Sequence, residues 1–276
     1  MPFFKTTAQP QTDIYFEDSG GDGQAVVLIH GWPLSLRSWE SQANMLIAAG
    51  YRVVAYDRRG FGQSGKATGG YDYDTFASDL NDLLEQQNLS NAVLVGFSMG
   101  GGEVARYVGR YGEGRVARAV FMSAVTPYML KTDDNPSGVD QGVFDDMLAN
   151  VTKDRVTFLG DFFKQFYDGG LFAPKVSDEA LHFTKFQAYH ASPVATQRCV
   201  VAFGMTDFRG DLRRFTVPTM FVHGDSDKVV PLDASARRAT ELVPGSRLEV
   251  VSGGPHGLNV THADEANGLL LDFLRQ

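Results

Sequence analysis

Apolar residues along this chain gather into short continuous runs, separated by stretches where polar and apolar positions mix. Ala25-Val26-Val27-Leu28-Ile29, Arg52-Val53-Val54-Ala55-Tyr56, Val93-Leu94-Val95, Ala117 to Met122, Thr219-Met220-Phe221-Val222 and Arg247-Leu248-Glu249-Val250-Val251 all have strand length. Most are rich in β-branched residues, and each stops close to a glycine, aspartate or serine, the usual punctuation of a strand. Runs that do not alternate predict strands covered on both faces. Between and after them, Glu103 to Tyr111 and Asp264 to Leu274 read as helices. Alternation of the two kinds of segment from Ala25 to Tyr111 predicts an α/β fold with a doubly wound, mostly parallel sheet.

The alternation lapses from about Thr126 to Arg214 and resumes at Thr219. That predicts a core of residues 1–125 and 215–276, with residues 126–214 inserted as a helical cap. Ten of the 20 phenylalanines fall inside the insertion, among them Phe158, Phe162, Phe163, Phe166 and Phe203. Most of these should form the cap's own core, and those that face the sheet should roof an apolar pocket. A chain of 276 residues suits one such domain, which should bury roughly three-quarters of its unfolded surface.

Candidate chemistry begins where the third run ends. Gly96-Phe97-Ser98-Met99-Gly100 is a Gly-x-Ser-x-Gly pentapeptide, set between a strand and a helix. Glycines on either side of the serine let strand and helix cross closely around a sharp turn. The hydroxyl then stands above the sheet at a helix N-terminus, where free N–H groups favour negative charge. A serine alone is a weak nucleophile; it needs a base, an acid that orients the base, and donors for an oxyanion.

Of the six histidines, His256 is placed as the base should be, in the turn-rich loop Ser252-Gly253-Gly254-Pro255-His256-Gly257 behind the last strand. His262 falls near the start of the closing helix and reads as a surface residue. The acid should lie in Gly224-Asp225-Ser226-Asp227, where position alone does not separate Asp225 from Asp227. The segment His30-Gly31-Trp32-Pro33, after the first run, sits where one backbone oxyanion donor is expected, so the donors would be the N–H groups of Trp32 and Met99. Gly60-Phe61-Gly62-Gln63-Ser64-Gly65-Lys66-Ala67 falls one residue short of a P-loop. Ala67 stands where a magnesium-binding hydroxyl is required, and Thr68-Gly69-Gly70 continues the turn instead of opening a helix. The neighbouring Asp57-Arg58-Arg59-Gly60 loop is better read as a brace for the oxyanion segment.

With 25 basic against 33 acidic residues and no basic tract, nonspecific nucleic-acid binding is not expected. Cys199 is the only cysteine, so no intramolecular disulfide forms, which fits a reducing compartment. The first twenty residues lack a signal-peptide core and no run has membrane-spanning length, so a cytoplasmic protein without membrane partners is expected. Neither His-Glu-x-x-His, a cysteine pair nor Gly-x-Gly-x-x-Gly after a strand is found, so no metal or cofactor is expected. Homo-oligomerisation is left open.

Taken together, His30-Gly31-Trp32-Pro33, Asp57 to Gly62, Gly96 to Gly102, His223-Gly224-Asp225-Ser226-Asp227 with Val230-Pro231, and Gly254-Pro255-His256-Gly257 resemble a known family. The chain is similar, over essentially its whole length, to the cofactor-free (non-heme) haloperoxidases, aryl esterases and perhydrolases of the α/β-hydrolase fold. The order Ser98, Asp227, His256 is that of this fold's triad, and the resemblance implies that Asp227, not Asp225, is the acid. It further implies that Trp32, Phe162, Phe166 and Val229 border the substrate. The expected activity is hydrolysis of small carboxylic esters through an acyl-enzyme, released by water or by hydrogen peroxide. In this family a proline at the position of Pro33 accompanies perhydrolysis. Two alternatives remain: an amidase or lactamase with the same machinery, and a slow-turnover ligand receptor that keeps the triad.

Overall fold

The computed structural model describes residues 2–171 and 176–276. Eight strands form one sheet: β1 (Phe3–Lys5), β2 (Asp13–Asp18), β3 (Ala25–Ile29), β4 (Arg52–Tyr56), β5 (Ala92–Phe97), β6 (Val116–Met122), β7 (Thr219–Gly224) and β8 (Arg247–Val251). Their order is β1-β2-β4-β3-β5-β6-β7-β8; β1–β2 and β2–β4 are antiparallel and every other pair is parallel. The two leading strands have no counterpart in the expected element list. Phe3–Lys5 is too short to stand out, and Asp13–Asp18 begins and ends in acidic residues.

Every residue of β3, β5 and β7 is buried, as continuous apolar runs require. Cover comes from two groups of helices. In one, α1 (Glu40–Ala48) packs against α9 (Leu258–Thr261) and α10 (Ala263–Leu274); in the other, α2 (Tyr73–Gln86), α3 (Met99–Tyr111), α7 (Arg209–Leu212) and α8 (Ala236–Leu242) lie together. Asp72 caps α2 by accepting the Thr75 N–H at 2.9 Å.

Between β6 and β7 the chain leaves the sheet to form α4 (Gln141–Phe166), α5 (Asp178–Tyr189) and α6 (Pro193–Met205), followed by α7. Helix α4 is broken at Asp154, whose φ of −153° and ψ of 85° are not helical. The Asp154 carboxylate accepts the Thr157 N–H at 3.0 Å, so the second half of α4 begins with its own cap. Register places Ile29 beside Gly96, Phe97 beside Met122 and Gly224 beside Val251. The parallel strands therefore end along one edge of the sheet, where ligand sites of open α/β sheets are found.

Candidate active site

At that edge β5 turns into α3 through Ser98, whose φ of 53° and ψ of −119° lie outside the conformations an L-residue prefers. Three backbone hydrogen bonds hold it there. Ser98 N–H donates to the Met122 carbonyl (2.9 Å), and the Ser98 carbonyl accepts from Gly101 (3.0 Å) and Val125 (3.2 Å). The glycines around the turn answer a steric demand. A Cβ on Gly96 would lie 2.5 Å from the Gly100 carbonyl oxygen, and one on Gly100 would lie 2.9 Å from the Ile29 carbonyl carbon. Gly100, Gly101 and Gly102 together cost α3 roughly 2–3 kcal/mol of helix propensity relative to alanine, which the close crossing makes unavoidable.

His256 reaches this turn from the loop after β8. Its Nε2 lies 2.9 Å from Ser98 Oγ and its Nδ1 2.7 Å from Asp227 Oδ2. The other Asp227 oxygen accepts the amides of Val229 (2.9 Å) and Val230 (2.8 Å). Burial pushes the Asp227 carboxyl up, but His256 and His223 outweigh it and hold the group well below the ordinary carboxylate range. Asp225 is turned away: it accepts the Gly253 N–H at 2.7 Å and the Ser226 hydroxyl at 3.2 Å, tying the two loops together. Geometry thus brings Ser98, Asp227 and His256 together and leaves Asp225 as a turn residue. His262 precedes α10, with Nδ1 2.9 Å from Thr261 Oγ1.

Gly31 presses on the turn from β3; a Cβ there would meet the Ser98 Cβ at 2.9 Å. Trp32 follows, buried, its indole donating to the Thr196 carbonyl at 3.1 Å. Met99 occupies the first position of α3, where backbone N–H groups have no partner inside the helix. The Asp57–Gly60 loop braces this arrangement. Arg58 donates through its amide to His30 Nε2 (3.0 Å) and through its guanidinium to the His30 carbonyl (3.0 Å) and Glu103 Oε2 (2.7 Å). Glu103, one turn into α3, also accepts the Tyr56 hydroxyl. Burial, with the Arg58 charge adding to it, pushes His30 far below its ordinary value. The ring stays neutral, with Nδ1 2.8 Å from the Gly31 carbonyl. In the P-loop-like segment the Lys66 ammonium donates to the Gly62 carbonyl at 2.7 Å.

A cavity of about 370 Å³ opens over Ser98 and His256. Its walls are mostly apolar, with Trp32, Val229 and Phe162 among them, alongside Phe158 and Phe203 from the cap phenylalanines and Met129, which the sequence did not single out. Phe166 is a correction to the expected pocket lining. It is buried behind His256, ring centroids 4.9 Å apart and edge to face, and it is not among the cavity residues. Helical spacing explains this: Phe158, Phe162 and Gln165 share the face toward the cavity, while Leu159, Phe163 and Phe166 share the neighbouring, buried face. Among the described residues, no group of three or more His, Cys, Asp or Glu could hold a metal ion. Within the same residues no helix is long and apolar enough to cross a membrane.

Chemically, an imidazole bonded on one side to a hydroxyl and on the other to a buried carboxylate can take the hydroxyl proton as the oxygen attacks a carbonyl. Known proteins agree with this architecture. Residues 24–263 match the family model described as the alpha/beta hydrolase fold. The chain is 43% identical to the non-heme chloroperoxidase CPO-A1 of Kitasatospora aureofaciens over 98% of each chain. It is 39% identical to the bifunctional esterase/perhydrolase DCH of Acinetobacter calcoaceticus, again over 98% of each. Among solved structures, bromoperoxidase from Bacillus anthracis superposes with a TM-score of 0.94 at 48% identity, covering 99% of this chain and all of that one. The chain is an enzyme of the α/β-hydrolase family, in the group of the non-heme haloperoxidases and the esterase/perhydrolases.

Proposed function

We propose that this enzyme hydrolyses small carboxylic esters through a covalent acyl-enzyme on Ser98. His256 takes the Ser98 proton as Oγ attacks the ester carbonyl, and Asp227 orients the imidazole and stabilises its charged form without accepting the proton. The N–H groups of Trp32 and Met99 receive the oxyanion. His256 then protonates the leaving alcohol, and water deacylates Ser98 with the same residue acting as base. Hydrogen peroxide in place of that water would release a peracid, which oxidises halide in a separate step. This side activity is suggested by the names of the relatives and by Pro33. Residues 126–214 serve as the cap over the 1–125 and 215–276 core, with Trp32, Phe162 and Val229 against the substrate.

The observation that carries this reading is the unbroken chain from Ser98 Oγ through His256 to Asp227, at 2.9 and 2.7 Å, on the floor of an apolar cavity. Amide hydrolysis would use the same groups, but nothing in the cavity favours it over esters. The test is treatment with a fluorophosphonate, followed by intact mass and peptide mapping. One adduct is expected, on Ser98, although the chain has 15 other serines, together with multiple turnovers on an aryl acetate. Labelling of Ser98→Ala at the wild-type rate would defeat the reading, and labelling without turnover would favour a receptor.

A further inference from the structure

His223, the penultimate residue of β7, lies beside the acid and has no place in the mechanism above. Its ring is fully buried. Nε2 is 2.8 Å from the Val230 carbonyl and 3.3 Å from Asp227 Oδ2, the same oxygen that meets His256. Ser235 Oγ lies 3.5 Å from that nitrogen but already donates to the Pro231 carbonyl at 2.7 Å. Among the described residues Nδ1 has no hydrogen-bond partner.

Two oxygens that can only accept therefore face one ring nitrogen, and nothing bonds the other. A lone pair on Nε2 would be repelled by both the carbonyl and the carboxylate, so the proton belongs on Nε2. The Val230 carbonyl that takes this N–H belongs to the turn whose amides, Val229 and Val230, hold Asp227 Oδ1. His223 thus pins the turn to the end of β7 and aims a bond dipole at Oδ2, where the charge on Asp227 must be held for His256.

We propose that His223 is a positioning residue for Asp227: as its Nε2–H tautomer it fixes the turn that grips the carboxylate and sets the direction of the Asp227–His256 hydrogen bond. This inference rests on the triad reading above and extends it by one residue. A glutamine can place an amide N–H close to where Nε2 lies, whereas asparagine reaches only as far as Nδ1 and leucine offers no donor. The four forms consequently separate a hydrogen-bonding role from a packing one.

The experiment compares wild type, His223→Gln, His223→Asn and His223→Leu on an aryl acetate, with thermal unfolding as a check on folding. The far-downfield proton resonance of the His256 Nδ1–H is followed in parallel. Asparagine and leucine should lower kcat on the order of tenfold, the scale of one hydrogen bond that serves a charged group. KM should change little, and the downfield resonance should shift or broaden. Glutamine should restore most of kcat and the resonance. Wild-type kcat and resonance in His223→Leu would overturn the proposal, as would equal damage in the glutamine and asparagine variants. If leucine does not fold, the glutamine–asparagine pair alone decides. Asp227→Asn, run alongside, tells the two ideas apart: if that variant kept wild-type turnover the triad itself would fall, whereas His223 can fail while Asp227→Asn is inactive.

Discussion

Gly100→Ala is the most revealing single change to this site, because helix propensity and packing predict opposite outcomes. In an open helix the substitution stabilises by about 1 kcal/mol. Here the new Cβ would lie 2.9 Å from the Ile29 carbonyl carbon and 3.0 Å from the His30 oxygen, both backbone atoms that no rotamer change can move. The Ile29 carbonyl oxygen is closer still, and ordinary contact begins at 3.4 Å, so the first turn of α3 must back away from β3 by about 1 Å. Overpacking against fixed atoms costs up to about 3 kcal/mol, which leaves a net loss of about 2 kcal/mol and a Tm lower by roughly 4–8 °C. The same retreat carries the Met99 amide away from Trp32. Because a misplacement of about 1 Å costs about 100-fold in rate, this retreat should lower kcat about 100-fold. Thermal unfolding and aryl-acetate kinetics measure both effects, with Gly142→Ala as a control in open space near the start of α4. A Gly100→Ala enzyme with raised Tm and intact kcat would refute the steric account of the turn.

Three further outcomes follow from the geometry. Asp227→Asn should lower kcat by about 10⁴-fold, while Asp225→Asn should cost little because asparagine can accept the same Gly253 amide; steady-state kinetics of the pair checks this. Phe162→Ala should alter KM and acyl-chain preference, since the ring lines the cavity beside Trp32. Phe166→Ala should lower kcat on every ester and destabilise by about 3–5 kcal/mol, visible in a substrate panel and in denaturant unfolding. The depressed ionisation of Asp227 makes a pH-dependent contribution to stability. A carboxyl held below its ordinary 3.8 stabilises the fold above that pH, and the contribution is lost as acid drives the pH down toward the folded value. The stability gap between wild type and Asp227→Asn should therefore be constant near neutrality and narrow below about pH 4; a gap that widens in acid would contradict the assignment.

The turn at Ser98 was legible from sequence because its glycines are a steric requirement, and steric requirements leave residue-type signatures. His256 was legible for a similar reason: a Gly/Pro-rich loop after the last strand has one place for an imidazole. The choice between Asp225 and Asp227 was not legible from position, since both occupy one loop; only the resemblance pointed to Asp227. Phe166 was expected at the pocket by resemblance alone; it lies one turn beyond Phe162, and which of the two rings lines the cavity depends on how α4 is rotated against the core. His223 counted among the residues that carry the resemblance but was given no role, because a histidine at a strand end carries no spacing pattern. Its sequence signal is only that it lies four residues before Asp227, and in a loop that distance fixes no geometry. The short β1 and β2 lacked the length that makes a run detectable.

The segment bearing α4, α5 and α6 departs from β6 and returns through β7, and these two strands are immediate neighbours in the sheet. The two strands are parallel, so the excursion leaves the sheet at Met122 and re-enters it at Thr219, beside Ala119, while Ser98, Asp227 and His256 are carried by other turns. On the proposed mechanism, the reacting groups and much of the cavity roof therefore lie on separate stretches of the chain. Grafting a relative's segment between these two strands should shift substrate range through the roof residues it brings, while Trp32 and Val229 stay with the core and Ser98, Asp227 and His256 keep their geometry.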